Sequence, residues 1–214
     1  MLYQVAPFNL KNMEQEIRRW YKKLWETKGA RFIAAKRFET HEKWSTITIS
    51  IVSVYIICLN LSVLVPNRSK LLSTDNITFS TICLSIFVIV ISIILSSRNY
   101  KVMANKFHDC GREISEIYDK VCIWKNNPDL VIPEDIFELI KEYNLLLQKY
   151  DINHSRLDYE MFIRDNIAEY NNIKCPKCFI LRINLKYFLD TIFRYLIFIL
   201  IPLILYLFYF NSSN

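Results

Sequence analysis

Apolar residues along this chain gather in three long runs, and between the runs they recur at helical spacing. The first run, residues 44–65, and the second, residues 77–95, carry no charged side chain. The third, residues 191–210, has a single charge, Arg194, near its start. A hydrocarbon core roughly 30 Å thick takes about 20 apolar residues of helix to cross. In lipid, backbone N–H and C=O groups must bond within their own segment, so the runs read as helices rather than strands. The competing reading is a soluble protein with three core helices. Two neighbouring charge-free runs of this length weigh against it.

The polar stretches also have helical periodicity. Over residues 10–43, Met13, Ile17, Trp20 and Leu24 step by four and three, and Phe32, Ala35 and Phe38 continue the stripe beyond Gly29. Trp44 then stands where an aromatic interface anchor belongs. After the second run, Met103, Phe107, Cys110, Ile114, Ile117, Val121 and Trp124 form a heptad seam that reads as continuous with the membrane helix. Such a seam needs a partner helix, in the same chain or in a second copy. Self-association through it is expected. Asn126, Asn127 and Pro128 end it.

A further helix should open at Pro133, with Glu134 and Asp135 in the first turn where the helix dipole favours acids. Its apolar positions are Ile136, Ile140, Tyr143, Leu147 and Tyr150. Ser155 and Asp158 have capping-box spacing and should start another helix, reaching about Tyr170. Residues 171–180 read as a turn. The fold class expected is an all-α membrane protein. A basic cytoplasmic helix (1–43) leads into a transmembrane hairpin (44–96), then a cytoplasmic helical region (97–186), then a third transmembrane helix with a short tail (187–214).

Charge sets the orientation. Residues 1–43 hold ten Lys/Arg against five acids, whereas residues 97–186 hold fourteen of each. Lys36, Arg37 and Lys43 precede the first run, and Arg98, Lys101 and Lys106 follow the second. By the positive-inside rule both flanks are cytoplasmic. The N-terminus is then inside and, with three spans, the C-terminus outside. No signal peptide is seen at the start of the chain, so the first span is expected to serve as the insertion signal. The basic surplus is read as a topology signal and an attraction to anionic lipid. Direct nucleic-acid binding would use the same cations and is not the expectation.

Candidate chemistry is sparse. Only two glycines occur, Gly29 and Gly111, which argues against a glycine-rich phosphate loop. His41, His108 and His154 fit no HExxH pattern, and GxSxG and Walker patterns are absent. No enzymatic activity, cofactor or metal is expected. Asn153, His154 and Asp158 form the one polar cluster that resembles a site, and its bland reading is a set of helix caps. Cys175 and Cys178 have metal-ligand spacing, but one CxxC supplies two of the four ligands of a closed zinc site. A tight turn with Pro176 opening a helix is the simpler account. The four cysteines outside the runs fall in cytoplasmic parts, where disulfides are disfavoured.

The first two runs carry small polar residues on one face each. Thr46, Ser50, Ser53 and Asn60 align in the first, and Thr81, Ser85, Ser92 and Ser96 in the second. Hydroxyl stripes suit a weakly polar pore lining. They suit close helix–helix packing equally, because small polar residues let backbones approach. Both readings stay open.

The run from Ala30 to Ser45, ARFIAAKRFETHEKWS, leads into a two-span hairpin and then a heptad helix. This resembles the SLATT domain, a two-transmembrane effector of bacterial conflict systems. Arg31, Ala34, Lys36, Arg37 and Trp44 stand where that family shows an Arg–x–x–Ala–x–Lys–Arg helix before its first span. The stretch containing Asn153, His154, Asp158 and Tyr159 is similar to an Asn-His…Asp-Tyr element of some subfamilies. The resemblance covers residues 10–170, and the third run departs from the two-span pattern. It implies a homo-oligomeric effector in the bacterial inner membrane, held quiet until a separately encoded partner triggers it. That partner would be a sensor such as a nucleotide second messenger synthase, or a reverse transcriptase. The output implied is membrane disruption and abortive infection. The alternative is a non-conducting membrane scaffold that docks a cytoplasmic enzyme or nucleoprotein.

Overall fold

The computed structural model describes residues 10–62, 74–200 and 204. Every regular element among them is helical. Helix α1 spans Leu10–Ser62, α2 Thr74–Ser97, α3 Tyr100–Asn126, α4 Pro133–Tyr150, α5 Arg156–Asp165 and α6 Pro176–Phe188. A π-helical turn, Leu189–Phe193, follows α6, and the chain is helical again over residues 194–200. Two compact units are formed. One combines Met1–Arg37 with Val102–Ile183, and the other Phe38–Lys101 with Asn184–Asn214.

The amphipathic helix and the first apolar run are one element, α1. Nothing between residues 38 and 46 breaks a helix, since neither Gly nor Pro occurs there. The second run and the heptad helix, by contrast, are not continuous. Asn99 takes a left-handed conformation, φ 50°, and separates α2 from α3. Asn tolerates that region better than most side chains. The helix expected to reach Tyr170 stops earlier. Asn166 caps α5 by returning its side-chain amide to the Phe162 carbonyl at 2.9 Å, and a 3-10 turn, Ile167–Glu169, follows.

In the first unit the core is a three-helix layer. Met13, Ile17, Trp20 and Leu24 of α1 meet Cys110, Ile114, Ile117 and Val121 of α3 and Ile136, Leu139, Tyr143 and Leu146 of α4. The heptad seam is therefore filled by helices of the same chain, with Phe107 also buried and Met103 and Trp124 partly so. The partner helix that the seam needs is thus supplied, at these residues, by the same chain. On α4 the buried face is turned slightly from the expected one. Leu139 and Leu146 are buried, while Ile140, Leu147 and Tyr150 pack at its edge.

Both glycines serve close packing. A Cβ on Gly29 would lie within the Phe162 ring of α5, and one on Gly111 would come 3.1 Å from the Phe32 ring. Trp25 packs edge-on against Phe162 at 4.7 Å between centroids.

The second unit has a small polar core and a large apolar exterior. His41, Ser45, Thr48 and Val52 of α1 are buried with Thr81, Ile91, Tyr100, Thr191 and Tyr195. Outward stand Val54, Ile57 and Leu61 of α1 and Phe79, Ile82, Ile86, Ile89, Val90, Ile93 and Ile94 of α2. Among the described residues two helices are long and apolar enough to cross a membrane, and only 17% of the most apolar stretch of each is buried. A core helix of a soluble protein would show the reverse, so these apolar faces call for lipid.

Candidate functional site: a buried ionic junction

Two motifs that are far apart in the chain meet in the first unit. Arg37 of α1 grips Asp158 of α5, with Nε donating to Oδ1 at 2.7 Å and Nη2 to Oδ2 at 3.1 Å. The Asp158 side chain is fully buried and that of Arg37 is 12% exposed. Such a two-point fork is the strong form of a charge-assisted pair.

Local sequence explains why Asp158 is ready for it. Ser155 caps α5, its Oγ accepting from the Asp158 backbone N–H at 3.2 Å. Asp158 Oδ2 in turn accepts from the Ser155 backbone N–H at 2.8 Å and from its hydroxyl at 2.7 Å. The capping box thus fixes the carboxylate before Arg37 arrives. Arg37 Nη2 reaches the same Ser155 Oγ at 3.4 Å.

Arg31 lies two turns earlier on α1 and is 3% exposed. Its guanidinium stacks over the Phe107 ring at 5.5 Å, while Nε and Nη1 are buried without a hydrogen-bond partner. Burial draws its pKa down, opposed by smaller attractions that include Asp158. His154 is half-buried in the link between α4 and α5, and its Nδ1 is also unpartnered. Burial first, and the Arg31 charge second, hold the imidazole below its ordinary value. Of the residues expected here, Asn153 and Lys36 are exposed. Nearby, Glu26 of α1 accepts from the hydroxyls of Tyr159 and Tyr170, at 3.3 and 2.8 Å.

The second unit holds a polar cluster that no motif signalled. His41 Nδ1 lies 3.2 Å from the Tyr195 hydroxyl, and its Nε2 lies 3.4 Å from Asp190 Oδ2. Ser45 Oγ is 3.2 Å from the same Tyr195 hydroxyl, and the imidazole stacks on Tyr100 with centroids 5.0 Å apart. The π-turn, which adds a residue to one helical turn, carries Asp190 and Thr191. Asp190 also pairs with Arg194, as their spacing of four suggests.

The hydroxyl stripe of α1 is not buried within the chain. Thr46, Ser50 and Asn60 are exposed and Ser53 is partly so. Each bonds back to the carbonyl four residues earlier, at 2.8 to 3.1 Å. The face that packs inward is the neighbouring one, Ser45, Thr48 and Val52. On α2, Thr81 is buried and Ser85 and Ser92 are partly buried. Cys175 and Cys178, expected as a free-thiol turn or half a metal site, are joined as a disulfide across the start of α6. Pro176 opens that helix as expected. Among the described residues no group of three or more His, Cys, Asp or Glu is placed to hold a metal ion.

The pairing of Arg37 with Asp158 joins the two stretches on which the family resemblance rests. A family profile, SMODS and SLOG-associating 2TM effector domain family 5, matches residues 13–208. The chain belongs to this SLATT family. The match takes in the whole junction and most of the third apolar run, beyond residue 170 where the motif resemblance stopped. No curated protein and no solved structure matches the chain. As a SLATT member with two apolar helices turned outward, it is a membrane effector of conflict systems rather than a soluble helical protein.

Proposed function

We propose that this SLATT protein is the membrane effector of a bacterial anti-phage defence system. On this reading it assembles with copies of itself in the inner membrane and permeabilises it when a separately encoded partner signals infection. That partner is a nucleotide second messenger synthase or a reverse transcriptase. The carrying observation is the outward stripe Thr46, Ser50 and Asn60 on an apolar helix of a two-span effector family. Among the described residues its polar side chains bond back to their own helix, which leaves that face open to water or to a second copy. The N-terminus is cytoplasmic, from the charge pattern. The third run, residues 191–210, is a third span placing the C-terminus outside.

The test is release of a self-quenching dye from liposomes carrying the purified full chain, with and without the neighbouring gene products. Release only with the trigger supports the reading. Tight liposomes under every trigger overturn it.

One observation favours the scaffold alternative. Ile123, Leu130, Ile132 and Phe137, around the α3–α4 connection, expose more than half of their surface. Exposed apolar groups of this kind mark contact surfaces. A scaffold would hold a stoichiometric partner at rest and never release dye.

A further inference from the structure

The ionic junction contains one positive charge more than it can neutralise. Asp158 is matched by Arg37, whose Nε and Nη2 both bond it. The other buried acid nearby on α5, Glu160, accepts from Arg156 at 3.1 Å. The remaining groups that act on Arg31 are Cys110 and Tyr143. Burial keeps the Cys110 thiol protonated. His154 is held towards its neutral form, so it adds no charge. Arg31 is thus a buried guanidinium over an aromatic ring, with donors Nε and Nη1 aimed at no protein acceptor. An unpaired buried charge is costly unless an opposite charge and hydrogen bonds accompany it.

We propose that Arg31, with His154 beside it, receives a phosphate-type oxyanion. Guanidinium pairs with a tetrahedral oxyanion through the donors of one edge, and it is suited to such a ligand by geometry and weak hydration. Neutral His154 Nδ1 can donate to such a ligand or accept from its protonated oxygen. His154 is carried by the irregular link of residues 151–155 and is partly buried. The phosphate could be free in the cytoplasm or belong to a lipid headgroup, because the chemistry is shared. Because Arg37 and Arg31 lie on one helix six residues apart, an anion at Arg31 would also share in fixing α1 against α5.

The experiment uses the full chain in a neutral detergent and reads ³¹P line broadening of inorganic phosphate at constant ionic strength. A second arm places the chain in nanodiscs of neutral lipid, with or without phosphatidylglycerol, and repeats the titration. Saturable broadening by the parent chain is expected. It should weaken at least tenfold in Arg31→Met and severalfold in Arg31→Lys, which keeps the charge but loses the planar donors. If the bound group is a headgroup, phosphatidylglycerol will protect the parent chain against heat and compete with phosphate, and Arg31→Lys will lose both effects. Should Arg31→Met fail to fold, Arg31→Lys and His154→Gln carry the test. No saturable binding in either arm, or binding by Arg31→Lys equal to the parent, overturns the proposal.

Discussion

Arg37 and Asp158 are 121 positions apart and form a two-point ion pair in which the carboxylate is wholly buried. It ties the helix that runs into the first membrane span to the short helix α5. The same carboxylate closes the capping box of α5, so one side chain serves local and tertiary structure together.

Removing either partner strands the other. Asp158→Ala leaves Arg37 unmatched and uncaps α5, and should cost about 3–5 kcal/mol, the range for breaking a buried pair. Arg37→Met strands a buried carboxylate and should cost a similar amount. The double substitution should cost clearly less than the sum, because neither charge then remains alone. Urea unfolding of the four proteins in a neutral detergent measures this. Additive losses would mean that the pair contributes no coupling.

Gly29 supplies space rather than flexibility. Its missing Cβ makes room for the Phe162 ring, so Gly29→Val should force α5 off α1 at about 1–3 kcal/mol, the usual cost of overpacking. Gly29→Val with Phe162→Ala should recover part of that loss. Thermal unfolding of both proteins checks it, and a Gly29→Val chain as stable as the parent would refute the close approach.

The acid limb of stability should depend on Glu113. Hydrogen bonds from Lys149 and then Tyr150 hold its carboxyl below the ordinary carboxylate range. A depressed folded value means the contribution is fully present above the unfolded value. It is lost as the pH falls through the folded one. Glu113→Gln should therefore be less stable than the parent near neutrality and converge on it in acid. The effect is modest, since Lys149 is mostly exposed. Melting temperatures from pH 3 to pH 7 decide it, and a constant gap across that range would rule Glu113 out.

Most of the helices were legible because periodicity and capping are local. The α4 start at Pro133 and the Ser155–Asp158 box could be read from a few neighbouring residues. The break at Asn99 has no such local signal, because a left-handed residue needs no Gly or Pro to announce it. The seam from Met103 to Trp124 is plain in the sequence, but its partner is not. Spacing shows that a face must be covered and not which helix covers it. Arg37 and Asp158 each stand out in the sequence, yet their pairing depends on long-range packing. The His41, Ser45, Asp190 and Tyr195 cluster left no signal beyond a polar residue or two near an apolar run. Its members are joined only by the fold.

The Tyr195 hydroxyl is the centre of that cluster, within 3.2 Å of both His41 Nδ1 and Ser45 Oγ. Tyr195→Phe keeps the ring and removes those contacts, leaving buried polar atoms short of a partner. A loss of about 1–3 kcal/mol should follow. A Tyr195→Phe chain with unchanged melting would show the hydroxyl to be idle.

Helix α1 separates two polar faces that differ in what they should control. Ser45, Thr48 and Val52 point into the chain, whereas Thr46, Ser50 and Asn60 point out of it. Thr48→Leu adds bulk to a fully buried position and should lower the melting temperature before it alters anything else. Asn60→Leu with Ser50→Ala makes the outward face more apolar, so insertion and chain stability should be kept. If that face lines a conducting path, the loss of polar groups dewets it and dye release should fall severalfold with assembly intact. If it instead binds a second copy through hydrogen bonds, cross-linking will show fewer oligomers and release will fall with them. Crosslinking and leakage on the same liposomes separate the two outcomes. An Asn60→Leu, Ser50→Ala chain that inserts, assembles and leaks like the parent would take the outward face out of the mechanism altogether.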